Sequence, residues 1–149
     1  MLQARPIIYE GIVSCHMEFI VTPHIGTSRI QFGMSRAIIR ALFAELPEQF
    51  FRGGTEDTDY YPALGLFVLY DAAQVCVALE FNRPARVVLN GIALLELSKK
   101  EAVEHFRADS TFEQDASGYT CYHLGVGAYY EQPKQAESVI AFVQGYYDL

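Results

Sequence analysis

The chain has 149 residues, of which 51% are hydrophobic and 19% are charged, so it can bury a full core and is not a disordered chain. Its formal net charge is −7, and acidic residues outnumber basic ones in both halves, which argues against nucleic acid as a partner. We expect a single domain over residues 1–149.

The membrane and secretion signals that sequence can carry are not found in the chain. No segment is long and apolar enough to span a bilayer, and the N-terminus lacks the apolar run of a secretory signal. Cys15, Cys76 and Cys121 are scattered through apolar segments, as is typical of reduced thiols. These patterns predict a cytoplasmic protein with no membrane partner.

Three short strands are predicted near the N-terminus. Residues 7–13 and 17–21 are apolar and rich in β-branched side chains, and a turn-rich segment follows them. Residues 29–32 then alternate polar and apolar side chains, as a half-buried strand does.

A first helix is predicted to begin at Ser35, whose hydroxyl can accept a free N–H of the first turn. Apolar residues recur at three-four spacing as far as Leu46 and form one stripe, while Arg36 and Arg40 share the opposite face. Pro47 is expected to end this helix after Leu46.

The middle of the chain predicts an acidic loop and two hairpins. Residues 48–61 contain two glycines and several carboxylates and are interpreted as a solvated loop. The first hairpin pairs residues 64–70 with 74–81. Asn90-Gly91 is the strongest short hairpin signal and predicts a further pair of short strands around it.

The second helix is predicted from a capping box, in which Ser98 caps forward and Glu101 can reach back to the Ser98 N–H. Residues 109–118 form a second acidic loop. Strands at 119–130 and 137–143 are expected to complete this part of the chain.

A similar eight-residue motif occurs twice, at residues 64–71 and 124–131, and each copy follows a predicted helix and an acidic stretch. This predicts an α+β fold of tandem helix-plus-β-hairpin repeats, at approximately 29–81 and 92–143. The repeats would form a mostly antiparallel sheet with two helices packed on one face. Short apolar strands also resemble one another by chance, so the repeat stays a hypothesis.

No catalytic or metal-binding constellation is evident. Cys15-His16 and the Cys121/His123 pair contain ligand types that zinc prefers, but their spacing is not that of a finger or ribbon. Cys76 lies in an apolar run, which disfavours a thiolate. The acidic loops lack the calcium-binding pattern and the paired carboxylates of a glycosidase. We therefore expect no metal, no cofactor and no enzymatic activity.

Tyrosine is unusually frequent in this chain, which has 10 tyrosines and no tryptophan. Tyrosine pairs occur at 60–61, 129–130 and 146–147. Adjacent strand residues face opposite sides, so each pair is expected to place one ring in the core and one on the open sheet face. Exposed tyrosines are typical of recognition surfaces, although they also simply cover sheets. The predicted partner-binding residues are Glu56, Asp57, Asp59, Tyr60, Tyr61, Asp115, Tyr119 and Tyr122.

Gly33-Met34-Ser35-Arg36, leading into an amphipathic helix, resembles the start of the SmpA-type outer-membrane assembly lipoproteins. Their fold occurs in tandem in the beta-lactamase inhibitor protein, whose plan a duplicated helix–hairpin chain resembles. The chain is also similar to small bacterial immunity proteins, which are short, acidic and free of catalytic motifs, with tails like Gly145-Tyr146-Tyr147-Asp148. The lipobox and secretion signals of the first two groups are missing, so only a binding function carries over, by analogy.

These observations lead to one functional hypothesis and two alternatives. The hypothesis is a non-enzymatic protein-binding module, an immunity-type inhibitor whose open sheet face and acidic loops bind a basic toxin or enzyme domain. One alternative is a small-ligand-binding or enzymatic domain that uses Cys121, His123 and a carboxylate. The other is a structural homodimer paired through the tyrosine face.

Overall fold

Short strands and two α-helices alternate along the described part of the chain, which in this computed structural model comprises residues 3–9, 12–52 and 56–148, with side chains for 17–51 and 57–148. The α+β class is confirmed. In chain order the elements are β1 (Gln3–Tyr9), β2 (Ile12–Thr22), β3 (Gly26–Thr27), α1 (Arg36–Arg40), β4 (Glu48–Arg52), β5 (Glu56–Tyr61), β6 (Leu66–Tyr70), β7 (Cys76–Phe81), β8 (Arg86–Leu89), β9 (Ile92–Ala93), a 3-10 turn (Leu94–Glu96), α2 (Lys99–Phe106), β10 (Phe112–Gln114), β11 (Gly118–Cys121), β12 (Val126–Tyr129), β13 (Ser138–Phe142) and a second 3-10 turn (Tyr146–Asp148).

Two sheets organise these strands. The larger sheet has eight strands in the order β10–β11–β12–β13–β7–β6–β5–β4, and every neighbouring pair is antiparallel. The smaller sheet has the order β1–β2–β8–β9, with β3 beside β2, and its β2–β8 pair is parallel. The predicted mostly antiparallel sheet is thus found in the larger sheet, whereas the second, smaller sheet was not predicted.

The larger sheet has two different faces because strand residues alternate in direction. One face carries the main core, in which Leu66, Val68 and Tyr70 of β6 join residues of α1, α2, the smaller sheet and the first 3-10 turn. The opposite face carries a small cluster built on Leu69, Ala78 and Phe142. Each large side chain buried in the main core contributes on the order of 1.5–3 kcal/mol to stability.

Helix α1 is much shorter than predicted. Ser35 is the N-cap, since the Ile38 N–H donates to its hydroxyl across 3.3 Å, but the helix ends after Arg40 instead of at Leu46. The N–H of Leu42 then donates to Ile39 O in a tighter turn. Ile39 is buried, whereas Leu46 is 87% exposed, so the long inward stripe is wrong.

Local signals of α2 and of the second predicted hairpin are confirmed. The Glu101 N–H donates to Ser98 Oγ across 3.1 Å, and the Ser98 N–H donates to Glu101 Oε1 across 2.9 Å, which closes the capping box. Asn90 and Gly91 both have positive φ, at 50° and 81°, and link β8 to β9 as the hairpin signal requires.

The two acidic segments are not plain loops. Residues 48–52 form β4 and residues 56–61 form β5, and residues 112–114 of the second segment form β10. The strand predicted at 119–130 is also wrong, because a turn at 122–125 separates β11 from β12 and contains Gly125 with φ +64°. In the two acidic segments, backbone pairing with neighbouring strands outweighs the low strand preference of polar residues.

The order of strands in the larger sheet is symmetric about the β7–β13 pair. Strands β4 to β7 follow α1 and form one antiparallel run, and β10 to β13 follow α2 and form another. Leu66 pairs with Phe81 in β6–β7, and Val126 pairs with Ala141 in β12–β13, so both registers carry the same 60-residue offset.

Candidate functional site

A buried charge cluster connects α1 to β5. Arg36 reaches both Asp57 and Asp59, and its Nη2 atom lies 2.6 Å from Asp59 Oδ1. Arg40, one turn later on the same helix face, places Nε 2.7 Å from Asp59 Oδ2. The Asp59 side chain is completely buried, and the side chains of Arg36 and Asp57 are 11% and 12% exposed.

The two carboxylates of this cluster are held ionised. Hydrogen bonds from Arg36 lower the pKa of Asp57 below its ordinary value, against the opposing effect of burial. Burial by itself raises the pKa of Asp59, but hydrogen bonds from Arg40 and Arg36 and their charges outweigh it, and the net shift is downward. Two guanidiniums therefore compensate two carboxylates inside the protein.

The predicted solvated setting of Asp57 and Asp59 is therefore wrong. Both face the helix side of β5, while the neighbouring Thr58 and Tyr60 face the other side. Arg36 and Arg40 were missed because they were placed on a solvent face. The sequence did carry a signal for this cluster. Residues four apart share one face of a helix, as Arg36 and Arg40 do, and residues two apart share one face of a strand, as Asp57 and Asp59 do.

The face of the large sheet opposite the main core is rich in rings, and we call it the aromatic face; it comprises Phe50, Tyr60, Phe67, Tyr122, Tyr129 and Phe142. Tyr60 stacks on Phe67 with ring centroids 4.1 Å apart. Tyr122 and Tyr129 are 38% and 47% exposed, which is high for aromatic side chains in a sheet. This face therefore presents large rings to solvent.

Two of the three tyrosine pairs place one ring in the core and the other on the opposite side, as predicted. Tyr61 is fully buried while Tyr60 faces the other way, and Tyr130 is 5% exposed beside the 47% exposed Tyr129. The third pair, at 146–147, lies in a 3-10 turn, so the strand argument fails there. Its rings instead contact Phe142 with centroids 5.9 and 5.0 Å away.

Two hollows adjoin on the aromatic face and share Tyr122 as a wall. The first has a cavity volume of about 340 Å³ and is lined by residues that include Glu113, Asp115 and Tyr129. The second has a volume of about 320 Å³ and is lined by Tyr122, by Phe142 of β13 and by the C-terminal turn, and His24, Thr111 and His123 complete its wall. No described lysine or arginine lines either hollow.

Negative charge surrounds the shared ring. The Tyr122 hydroxyl donates to Glu113 Oε2 across 3.3 Å. Partial burial raises the pKa of Tyr122, and the charges of Glu113 and Asp148 raise it further. Asp115 is held ionised by donors from Ser117 and Gly118, which lower its pKa. The corner of the aromatic face thus combines rings with carboxylates.

An Asp–His pair lies beside the second hollow. His123 Nδ1 is 3.0 Å from Asp109 Oδ2, and hydrogen bonds from Thr111, with His123 contributing, lower the pKa of Asp109 to about 2. The thiol of Cys121 is buried, and burial raises its pKa. A nucleophile needs a lowered thiol pKa and access to substrate, and Cys121 has neither.

The structure separates the predicted binding residues into three groups. Tyr122 and Asp115 come together at the first hollow, and Tyr60 lies on the same face but five strands away, roughly 24 Å by the usual strand spacing. Tyr61 and Tyr119 are core residues. Asp57 and Asp59 belong to the buried charge cluster, and Glu56 begins β5 with its side chain outside the described set. Sequence reasoning missed Glu113, Tyr129, Phe142 and Asp148.

Comparisons with protein-family models, curated proteins and solved structures find no match to this chain. The resemblances drawn from sequence therefore stay predictions. Within the described ranges, no group of three or more His, Cys, Asp and Glu side chains could hold a metal ion. Neither α1 nor α2 has the length and apolar content that a membrane-crossing helix needs, and no other described helix does.

Proposed function

We propose that this chain is a non-enzymatic protein-binding module that takes basic side chains of a partner at the Tyr122 end of its aromatic face. The observation that carries the proposal is the pair of hollows that share Tyr122, with rings as walls and Glu113, Asp115 and Asp148 near them. The partner fits the description of a basic toxin or enzyme domain, and the chain would act as its immunity-type inhibitor. A cytoplasmic location is part of this proposal.

Cations and this surface are chemically complementary. A guanidinium over an aromatic face gains about 0.5–2 kcal/mol, and carboxylates beside the ring add charge-assisted hydrogen bonds. Arginine and tyrosine are also the side chains that most often dominate protein interfaces. The net charge of −7 would speed the approach of a basic partner at low salt.

The two halves of the sheet, we propose, are related by duplication. Gly65 and Gly125 both have positive φ, at 66° and 64°, and each carbonyl accepts an N–H from the residue 17 positions later, Asn82 or Phe142. Shared register and shared turn chemistry support this. Apart from His24, the residues that line the hollows belong to the second half, so the halves would have diverged in function.

The experiment is capture of a partner by the tagged chain, followed by titration calorimetry with the purified partner. Tyr122→Leu keeps apolar volume but removes the ring, and Glu113→Gln removes one charge. Each is expected to weaken binding by on the order of 2 kcal/mol, about thirtyfold in Kd. Added salt should weaken binding further through the association rate.

Matched controls are Tyr60→Leu, which removes a tyrosine from the other end of the aromatic face, and Glu104→Gln on the exposed side of α2. Both should leave Kd within about twofold of wild type. If these controls weaken binding as much as Tyr122→Leu, or if the captured partner is acidic, the proposal is wrong.

A further inference from the structure

Strand β4 is an edge of the large sheet. Among the described strands it pairs with β5 alone, so one of its two backbone edges has no strand beside it. An edge of this kind is a template for pairing with another chain, and proteins usually protect it with Pro, Lys, a bulge or a covering segment. Glu48–Arg52 contains no Pro or Lys, and its two charged residues, Glu48 and Arg52, lie at its ends.

The surface around this edge is unusually apolar. Phe51 is 69% exposed and Phe50 is 37% exposed, and both belong to β4. Leu46, two residues before the strand, is 87% exposed. Large apolar side chains grouped around an unpaired edge are typical of an interface, since single exposed ones are ordinary.

The sequence of β4, Glu48-Gln49-Phe50-Phe51-Arg52, is complementary to itself in the antiparallel direction. If Phe50 lies opposite Phe50 of a second copy, Glu48 lies opposite Arg52 at both ends of the pairing. Opposite charges and aromatic pairs directly across a ladder each stabilise it, and like charges destabilise it. A shift of one residue loses both charge pairs, so the register is specified.

We propose that the chain forms a two-fold dimer in which β4 pairs antiparallel with β4 of a second copy and joins the two eight-stranded sheets into one. The interface is isologous, as a symmetric dimer requires. It is independent of the proposed function. Strand β11 lies six strand positions from β4, roughly 29 Å, so the dimer leaves both hollows open.

The test is sedimentation equilibrium of the full chain. The wild type should form a dimer of twice 16.8 kDa. Glu48→Lys and Arg52→Glu, made separately, each place like charges opposite one another at two symmetric points, and each should raise the dimer dissociation constant about tenfold. The double variant Glu48→Lys/Arg52→Glu should restore the wild-type value.

Mixing the two single variants gives the sharpest readout. In the mixed dimer every introduced charge lies opposite its complement, so a heterodimer should form more tightly than either variant with itself. Glu104→Lys on α2 has the same charge change away from the edge and should not alter dimerisation, and melting curves should show that all variants are folded. The proposal is overturned if the wild type is monomeric or if the single variants dimerise as tightly as the wild type. It is also overturned if mixing the two single variants gives no tighter dimer than either forms with itself. Partner capture through Tyr122 would be unaffected by that failure.

Discussion

Arg36 and Asp59 join the first helix to the large sheet through a charge pair that water barely reaches. The Nη2 atom of Arg36 lies 2.6 Å from Oδ1 of an aspartate whose side chain is fully buried. The guanidinium carbon also lies 4.8 Å from the centre of the Tyr70 ring. Because the two residues are 23 positions apart, their pairing ties together segments that have no local reason to meet.

Removing Asp59 should be strongly destabilising. Asp59→Ala leaves two partly buried guanidiniums without their shared partner, and breaking a buried pair from one side costs about 3–5 kcal/mol. Urea unfolding measures this directly as a change in the free energy of unfolding. Glu104→Ala, on the exposed side of α2, is the control and should change stability by less than about 0.5 kcal/mol. Equal losses in the two variants would contradict the structural role.

Acid should destabilise the protein through the same cluster. The pKa values of Asp57 and Asp59 are lowered in the folded protein, whereas an aspartate in the unfolded chain has a pKa of about 3.9. The unfolded chain then binds more protons in acid, so their contribution is complete above about pH 4 and is lost as pH falls through the folded pKa values. Unfolding free energies measured across this range should show a shallower decline in Asp59→Asn. A parallel decline would count against the pairing.

The thiol of Cys121 should alkylate slowly in the native state. Burial raises its pKa and keeps it from solvent, as it also does for Cys76, whose pKa is raised to about 12. Iodoacetamide labelling followed by peptide mapping should give far slower modification of both in buffer than in urea. Fast native labelling of Cys121 alone would favour the enzymatic alternative.

Alanine at Gly65 should be more costly than alanine at Gly145. Both glycines have positive φ, which costs a side chain about 1–2 kcal/mol. At Gly65 a Cβ would also lie 2.1 Å from the Asn82 carbonyl oxygen, whereas at Gly145 it meets no atom within 4 Å. Thermal unfolding of the two variants checks this ranking. At Gly125 an added Cβ would lie 2.9 Å from the Phe142 carbonyl oxygen, so the loss of stability should fall between those at Gly65 and Gly145.

Features set by neighbouring residues could be predicted from sequence. The capping box of Ser98 and Glu101, the Asn90-Gly91 turn and the N-cap at Ser35 each depend on contacts within four residues. The opposite facing of Tyr60 and Tyr61 follows in the same way from strand geometry. Local chemistry therefore determined where several elements begin and which rings they bury.

Long-range pairing decided the rest. The sequence predicts that Asp57 and Asp59 are solvated because acidic residues in a polar stretch usually are. Only the packing of α1 against β5 supplies the two guanidiniums that make their burial favourable. Tyr122 likewise acquires its carboxylate neighbours from β10 and the C-terminal turn. Sequence by itself determined the α+β class and the local caps and turns. The tertiary structure alone decided which charges are internal and which surround the aromatic face, because a charge's environment depends on residues far from it in the chain.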